Sequence, residues 1–152
     1  MVTTSKGDRS RTPTPTLPRE RGREREGDRG RIRRIWLAVG WLGIGLLVFL
    51  SLTPRLPELG IEQGDKLGHF AAYALLMHWF AQIYSSRGSR WPWAIGLVAL
   101  GVALELIQRW TGLRTFSYSD MVADSLGVGI GWLLAPPRLP SLLALAERWL
   151  AR

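Results

Sequence analysis

The chain of 152 residues contains no cysteine, so it can form neither a disulfide framework nor a thiolate metal site. It also lacks the HExxH and GxSxG sequences that mark zinc-dependent and serine hydrolases. Charged residues are missing from long stretches, including the whole of residues 35–52. Because no sequential catalytic motif is present, the signal for an enzyme is unspecific.

The positive charge is concentrated at the start of the chain. The first 34 residues hold Lys6 and ten arginines against five acidic residues, which gives them +6 of the formal net charge of +8. This segment has almost nothing to bury and is predicted to be disordered. We interpret it as a solvated leader, either native or translated from upstream of the true start codon, rather than as an arm for anionic lipid or nucleic acid. No nucleic-acid partner is predicted for the rest of the chain.

Four apolar segments follow, at about residues 35–52, 66–84, 91–110 and 117–135. The first would span about 27 Å as a helix, which is close to the thickness of the bilayer hydrocarbon. Its apolar run is longer than that of a signal peptide, and no small-residue cleavage site follows it. The sequence therefore predicts an all-α integral membrane bundle of four transmembrane helices in residues 35–135. The disordered basic tail of residues 1–34 precedes this bundle, and a Pro-rich link with a short amphipathic interfacial helix follows in residues 136–152.

Short polar motifs predict how the helices begin. Asp65 is predicted to cap the second helix, which would start at about Lys66. Residues 85–90 are predicted to form a tight polar turn between the second and third helices. Ser117 and Asp120 have the spacing of a capping box at the start of the fourth helix.

Basic residues flank the apolar segments on one predicted side of the membrane. Eleven precede the first segment, Arg87 and Arg90 lie between the second and third, and Arg138, Arg148 and Arg152 follow the fourth. Short loops rich in Lys and Arg stay in the cytoplasm. The sequence therefore predicts a multi-pass protein with both termini cytoplasmic.

Polar residues that a lipid-facing helix should avoid occur in three of the four segments. They are Lys66, His69 and Tyr73 in the second, Glu105 and Gln108 in the third, and Ser117, Asp120 and Asp124 in the fourth. Within each segment the spacing of three or four places them on one helix face, within about 12 Å of the predicted outer end. An ionised side chain at the bilayer centre costs about 2.5–3.5 kcal/mol, so these residues are predicted to share one extracytoplasmic polar pocket. Gly127 and Gly131 continue the fourth stripe as a face for close helix packing.

Four motifs within residues 45–135 carry a resemblance to a known family. They are Ser51-x-x-Pro54, Asp65-Lys66-x-x-His69-x-x-x-Tyr73, Glu105-x-x-Gln108 and Arg114-x-x-Ser117-x-x-Asp120-x-x-x-Asp124-x-x-Gly127-x-x-x-Gly131. In this order they resemble the VanZ-like family of small bacterial membrane proteins, whose founder is associated with teicoplanin resistance. One position departs, since the family usually has Asn where this chain has Asp124. The resemblance implies a bacterial cytoplasmic (inner) membrane and a cell-envelope setting, and it implies no cofactor.

The first functional hypothesis is a binding or modulating protein whose polar pocket holds the head group of an envelope amphiphile, such as a lipid-linked wall precursor or a phospholipid. Lys66 and Arg114 would contact phosphate, while Glu105, Asp120 and Asp124 would accept hydrogen bonds from hydroxyl, amine or amide groups. The predicted ligand-binding residues are Asp65, Lys66, His69, Tyr73, Glu105, Gln108, Arg114, Ser117, Asp120 and Asp124.

The second hypothesis is an intramembrane hydrolase or transferase that acts on a lipid-linked substrate. Its catalytic candidates are His69, Glu105, Ser117 and Asp120, with His69 as the base, Ser117 as the nucleophile and an acid that orients the imidazole. Alternatively, Asp65, His69, Glu105 and Asp120 could bind a divalent metal, although we assign no metal site. A small transporter is a third hypothesis, against which stand the few spans and the lack of an inverted repeat. The oligomeric state is not predicted.

Overall fold

The computed structural model describes residues 18–53, 62–112 and 117–150, and of residues 18–26, 28, 62–65 and 150 it describes the backbone alone. This part of the chain forms five α-helices and contains no strand. They are α1 (Pro18–Leu52), α2 (Glu62–Ile83), α3 (Arg87–Thr111), α4 (Tyr118–Leu134) and α5 (Leu142–Leu150). The predicted all-α class is confirmed.

Helix α1 begins well before the apolar segment. It starts at Pro18, so much of the leader that was predicted to be disordered is helical, and that prediction is wrong for residues 18–34. Arginine and glutamate are good helix formers, and this segment only has to extend a helix that the apolar residues 35–52 already stabilise. The first 17 residues of the predicted tail lie outside the described residues.

Among the described residues, two helical segments, not the four predicted, are long and apolar enough to cross a membrane. They are Arg29–Leu52 in α1 and Arg87–Thr111 in α3. Helix α2 begins with the polar run of residues 62–66, which lowers its mean hydropathy. Helix α4 has 17 residues, and two of these are Asp120 and Asp124. By length or composition, neither α2 nor α4 therefore qualifies as a membrane-spanning helix, although both predicted helices are present.

Two helix starts differ from the prediction. Helix α2 begins at Glu62, so Asp65 lies inside its first turn and is not the N-cap. Helix α3 begins at Arg87, which shortens the predicted turn of residues 85–90. The reason is that Ser86 acts as the N-cap, because its side chain accepts a hydrogen bond of 3.1 Å from the backbone N–H of Ser89.

Helices α2 and α4 form the most extensive helix pair of the bundle. A Cβ atom added at Gly127 would collide with the backbone oxygen of Phe70, and one added at Gly131 would collide with that of Ala74. These glycines therefore allow the two backbones to approach closely, as small residues do in membrane helices. The predicted packing face on α4 is confirmed.

The end of the bundle near the α2–α3 turn has an apolar core and an apolar exterior. Phe80 stacks on Trp93 with ring centroids 3.8 Å apart, and both pack with the buried Met77 and Leu97. Large apolar side chains are exposed on the outer surface at this end, for example Trp91 at 60%, and also farther along the bundle, for example Leu75 at 71%.

The segment that follows α4 is fixed to the α2–α3 turn. The buried guanidinium of Arg90 donates hydrogen bonds to the backbone oxygens of Tyr84 at 2.8 Å and Pro136 at 2.9 Å. The side-chain oxygen of Gln82 accepts a hydrogen bond of 3.0 Å from the backbone N–H of Leu142, the first residue of α5. Helix α5 is therefore tied to the bundle through polar contacts that its own apolar pattern did not predict.

Candidate functional site

Five polar side chains meet at the opposite end of the bundle, between the first half of α2, the last half of α3 and the first half of α4. We call His69, Tyr73, Glu105, Asp120 and Asp124 the polar cluster. Each has an exposed fraction of 9% or less. The sequence placed all five at one membrane depth, and the structure brings them together.

The positions on α4 follow from one helical stripe. Asp120, Asp124 and Gly127 are buried at spacings of four and three, whereas Val122 and Leu126 are exposed at 57% and 59%. The acidic residues therefore occupy the face that also packs against α2. A side chain on this face has no access to lipid and must find its partners inside the bundle.

Across the α2–α4 contact, His69 pairs with Asp124. The imidazole Nδ1 lies 3.2 Å from Oδ1 of the carboxylate, and the two side chains are 10% and 3% exposed. The carboxylate fixes the orientation of the ring and favours a proton on Nδ1. This is the arrangement that the sequence anticipated only in general terms, as an acid that orients a histidine.

Glu105 has a backbone partner that the sequence did not reveal. Its Oε2 accepts a hydrogen bond of 2.9 Å from the backbone N–H of Ser117, whose side chain in turn accepts from the backbone N–H of Asp120 at 3.3 Å. The cap of α4 is thus completed by a carboxylate from α3, where a capping box would use the side chain of Asp120 itself. The carboxylate of Asp120 is left for other contacts.

Two polar atoms of the cluster are buried without a hydrogen-bond partner in the described part of the chain. They are Oδ1 of Asp120 and the hydroxyl of Tyr73. Buried polar groups are rarely left unsatisfied, so an orphan of this kind calls for an explanation. Two orphans within one acidic cluster mark the place where an additional group would be stabilised.

Gly101 on α3 makes room for the cluster, and sequence reasoning missed it. A Cβ atom added there would lie 2.6 Å from Oδ2 of Asp124 and 3.2 Å from the hydroxyl of Tyr73. The signal was present, because Gly101 precedes Glu105 by four residues and so shares its helix face. A side chain at this position would occupy the space that the carboxylate fills.

Acidic groups outnumber basic ones within the cluster. Within the polar cluster as defined here, Asp120, Asp124 and His69 all lie near Glu105, so three carboxylates are gathered around one imidazole. Such an arrangement favours cations and hydrogen-bond donors over further acceptors. The chemistry that it supports is recognition of an amine or hydroxyl group, or proton transfer through His69.

Two predicted site residues, Lys66 and Gln108, lie outside the polar cluster in the described structure. Lys66 is exposed near the start of α2, whereas His69 pairs with the buried Asp124. Gln108 donates a hydrogen bond of 2.7 Å from Nε2 to the backbone oxygen of Ser51, which ties α3 to the end of α1. Arg114 and the side chain of Asp65 lie outside what the structure describes.

The geometry bears on the two enzymatic alternatives. The Ser117 hydroxyl caps α4 and lies 2.8 Å from the hydroxyl of Ser119, so its recorded contacts are those of a helix cap. Among the described residues, no three His, Asp or Glu side chains are arranged to hold a metal ion. The His69–Asp124 contact is the described pairing of an imidazole with a carboxylate that a general base would need.

Two cavities open on other faces of the molecule. A groove of about 740 Å³ lies between α3 and α4, and a cleft of about 380 Å³ lies between α1 and α3. Neither is lined by a residue of the polar cluster. Cluster and cavities are thus separate features of the bundle.

Comparison with known proteins gives one distant relationship. The chain is 28% identical over 106 residues to an uncharacterized protein of the fission yeast Schizosaccharomyces pombe, and the match covers 68% of this chain and 64% of the yeast protein. The chain thus spans less than two thirds of that relative.

No family model and no solved structure matches the chain. With no matching model and a eukaryotic relative, the resemblance to the VanZ-like family is wrong, and the expected link to teicoplanin resistance falls with it. The four motifs consist of single polar residues at helical spacing, a pattern that any bundle with a polar interior can produce.

Proposed function

We propose that the protein is a multi-pass membrane protein in which the polar cluster binds the head group of a membrane amphiphile. The low burial of its apolar helices supports the membrane setting. The spanning segment of α1 is 17% buried and that of α3 is 33% buried, whereas the core helix of a soluble protein would be mostly buried. Exposed apolar surface of this extent is typical of a membrane or protein interaction site.

We further propose that α2 and α4 also lie in the bilayer. Leu67 and Leu75 of α2 are 66% and 71% exposed, and Leu126 of α4 is 59% exposed. The 17 residues of α4 extend about 25 Å, near the lower limit for a span. His69 of α2 and Asp120 and Asp124 of α4 face inward, which explains why the composition alone does not mark these helices as spans.

The distribution of arginines supports an orientation. Residues 29–34 in front of the apolar part of α1, together with Arg87 and Arg138, lie at the end of the bundle away from the polar cluster. Under the positive-inside rule that end is cytoplasmic. The cluster would then lie in the outer half of the bilayer.

The single observation that carries the binding proposal is the orphaned Oδ1 of Asp120. A buried acceptor without a partner costs about 1–3 kcal/mol, and a donor supplied by a ligand would recover this free energy. The hydroxyl of Tyr73 is a second unpaired group in the same cluster. A primary amine or a hydroxyl is the head group that matches three carboxylates, while the exposed Lys66 is available to a phosphate.

The proposal is tested by native mass spectrometry of the full chain in mild detergent with two added phospholipids. Phosphatidylethanolamine has a primary amine that donates hydrogen bonds, and phosphatidylcholine has the same phosphate without a donor. The wild type should retain phosphatidylethanolamine in preference. Asp120→Asn removes the charge, replaces an acceptor by a donor and should abolish the preference.

Glu147→Gln on α5 is the matched control, because it also neutralises a carboxylate but lies outside both the polar cluster and the two cavities. It should keep the wild-type preference. Circular dichroism checks that Asp120→Asn remains folded. Equal retention of the two lipids by the wild type, or an unchanged preference in folded Asp120→Asn, would contradict the proposal.

A second candidate function, a hydrolase or transferase acting on a lipid substrate, is favoured by the His69–Asp124 pair. His69 would act as the general base and Asp124 would orient it. The test is to reconstitute the protein in phosphatidylethanolamine vesicles and look for cleaved lipid by mass spectrometry. Products that disappear in His69→Gln would establish the enzyme, whereas retention of intact lipid without turnover would leave binding as the function.

A further inference from the structure

We propose that the groove between α3 and α4 holds one acyl chain of an anionic phospholipid whose phosphate contacts Arg87. This site is distinct from the polar cluster and shares no lining residue with it. It rests on the membrane setting proposed above, but not on head-group binding by the cluster.

The shape and lining of the groove fit a hydrocarbon chain. Its volume of about 740 Å³ lies within the range of about 300–1,000 Å³ that is typical of ligand sites. Most of its wall is apolar, with Ile95 and Val98 on α3 facing Val128 and Leu133 on α4. In a bilayer this wall is in contact with lipid tails.

The length of the groove matches one leaflet. From Arg87 to Ala99 it follows α3 for about 18 Å, while one leaflet contributes about 15 Å of hydrocarbon. At the Arg87 end, the rings of Trp91 and Trp132 lie 5.0 Å apart, and tryptophans favour the membrane interface. The groove therefore runs from the interface to the middle of the bilayer.

The charge at the interface end selects the head group. Arg87 is exposed and is the only charged residue among the described residues that line the groove. A guanidinium at this depth pairs with a lipid phosphate, and a net negative lipid gains more from it than a zwitterionic one does. The chemistry thus points to an anionic phospholipid.

Native mass spectrometry of the full chain with added phosphatidylglycerol or phosphatidylcholine tests this site. The wild type should retain one phosphatidylglycerol in preference to phosphatidylcholine. Gly129→Leu should lose it, because a Cβ at Gly129 meets no atom within 4 Å and the leucine would extend into the groove without displacing the protein. Arg87→Gln should lower the preference for phosphatidylglycerol about fivefold.

Two control variants make the same chemical changes elsewhere. Gly45→Leu adds the same side chain at an equally open position on α1, and Arg148→Gln removes an exposed arginine from α5. Both should retain phosphatidylglycerol as the wild type does. Asp120→Asn should also retain it, so failure of the cluster proposal and failure of this one are distinguishable.

Several outcomes would overturn the proposal. One is equal retention of the two lipids by the wild type, and another is full retention of phosphatidylglycerol by Gly129→Leu. A third is a change from dimer to monomer in Gly129→Leu with lipid still bound, which would make the groove an interface between two copies of the chain.

Discussion

The imidazole of His69 on α2 and the carboxylate of Asp124 on α4 form a buried pair, with Nδ1 and Oδ1 3.2 Å apart. This contact joins the two helices that pack most extensively, at the point where the bundle interior becomes polar. The pair therefore couples the stability of the α2–α4 interface to the chemistry of the cluster.

Separate replacement of His69 and Asp124 by alanine should each lower the free energy of unfolding by about 3 kcal/mol, because each leaves the other polar group buried and unpaired. The double variant should lose less than the sum of the two, by about 1–3 kcal/mol. Chemical unfolding in detergent micelles, followed by circular dichroism, measures this coupling. Strict additivity would show that the two residues act independently.

The glycine stripe of α4 offers a matched comparison within one helix. Gly131→Ala should destabilise the bundle by about 1–3 kcal/mol, because the added methyl group collides with the backbone of Ala74. Gly129→Ala enters open space and should be neutral or stabilising by up to about 1 kcal/mol. Thermal unfolding of the two variants provides the measurement, and equal effects would contradict the close packing of α2 and α4.

Gly101→Ala should disturb the polar cluster although it replaces no polar residue. The added Cβ would lie 2.6 Å from Oδ2 of Asp124, so the carboxylate has to move away from His69. We expect a loss of about 1–3 kcal/mol in unfolding free energy together with a weaker preference for phosphatidylethanolamine. Gly96→Ala on the same helix enters open space and serves as the control. Wild-type behaviour of Gly101→Ala would show that the cluster is loosely packed.

Arg90 should be required for stability although it lies far from the cluster. Its guanidinium donates to three backbone oxygens, those of Tyr84, Ala81 and Pro136, at 2.8, 3.3 and 2.9 Å. Arg90→Gln should cost about 1–3 kcal/mol, and Arg90→Lys should not restore this, since an ammonium cannot reproduce the planar fork. The exposed Arg87, replaced by glutamine, should change stability by less than about 0.5 kcal/mol. Full rescue by lysine would mean that charge alone matters here.

The sequence predicted which residues face the interior, because helical periodicity is a local property. His69 and Tyr73, or Asp120 and Asp124, lie four residues apart and must share a helix face wherever the helix is placed. The same local logic located the cap at Ser117 and the packing role of Gly131, both of which are confirmed. The role of the polar residues in ligand binding stays a prediction.

Local patterns also misled. Single polar residues at helical spacing suggested a bacterial family to which the chain shows no match. The charged leader looked disordered in isolation, yet α1 runs through it from Pro18, because a helix costs little to extend once an apolar segment has formed it.

Only the tertiary structure decided which polar group meets which. Glu105 of α3 completes the cap of α4, and Gln108 of α3 binds the end of α1. Gly101 of α3 leaves space for the carboxylate of Asp124 on α4. Each of these contacts joins two different helices. The sequence determined the faces of the helices, since a face depends on neighbours within a few residues. The rotation and depth of the helices relative to one another depend on packing between distant segments. Rotation and depth in turn fix which partners the buried polar side chains of the described bundle meet.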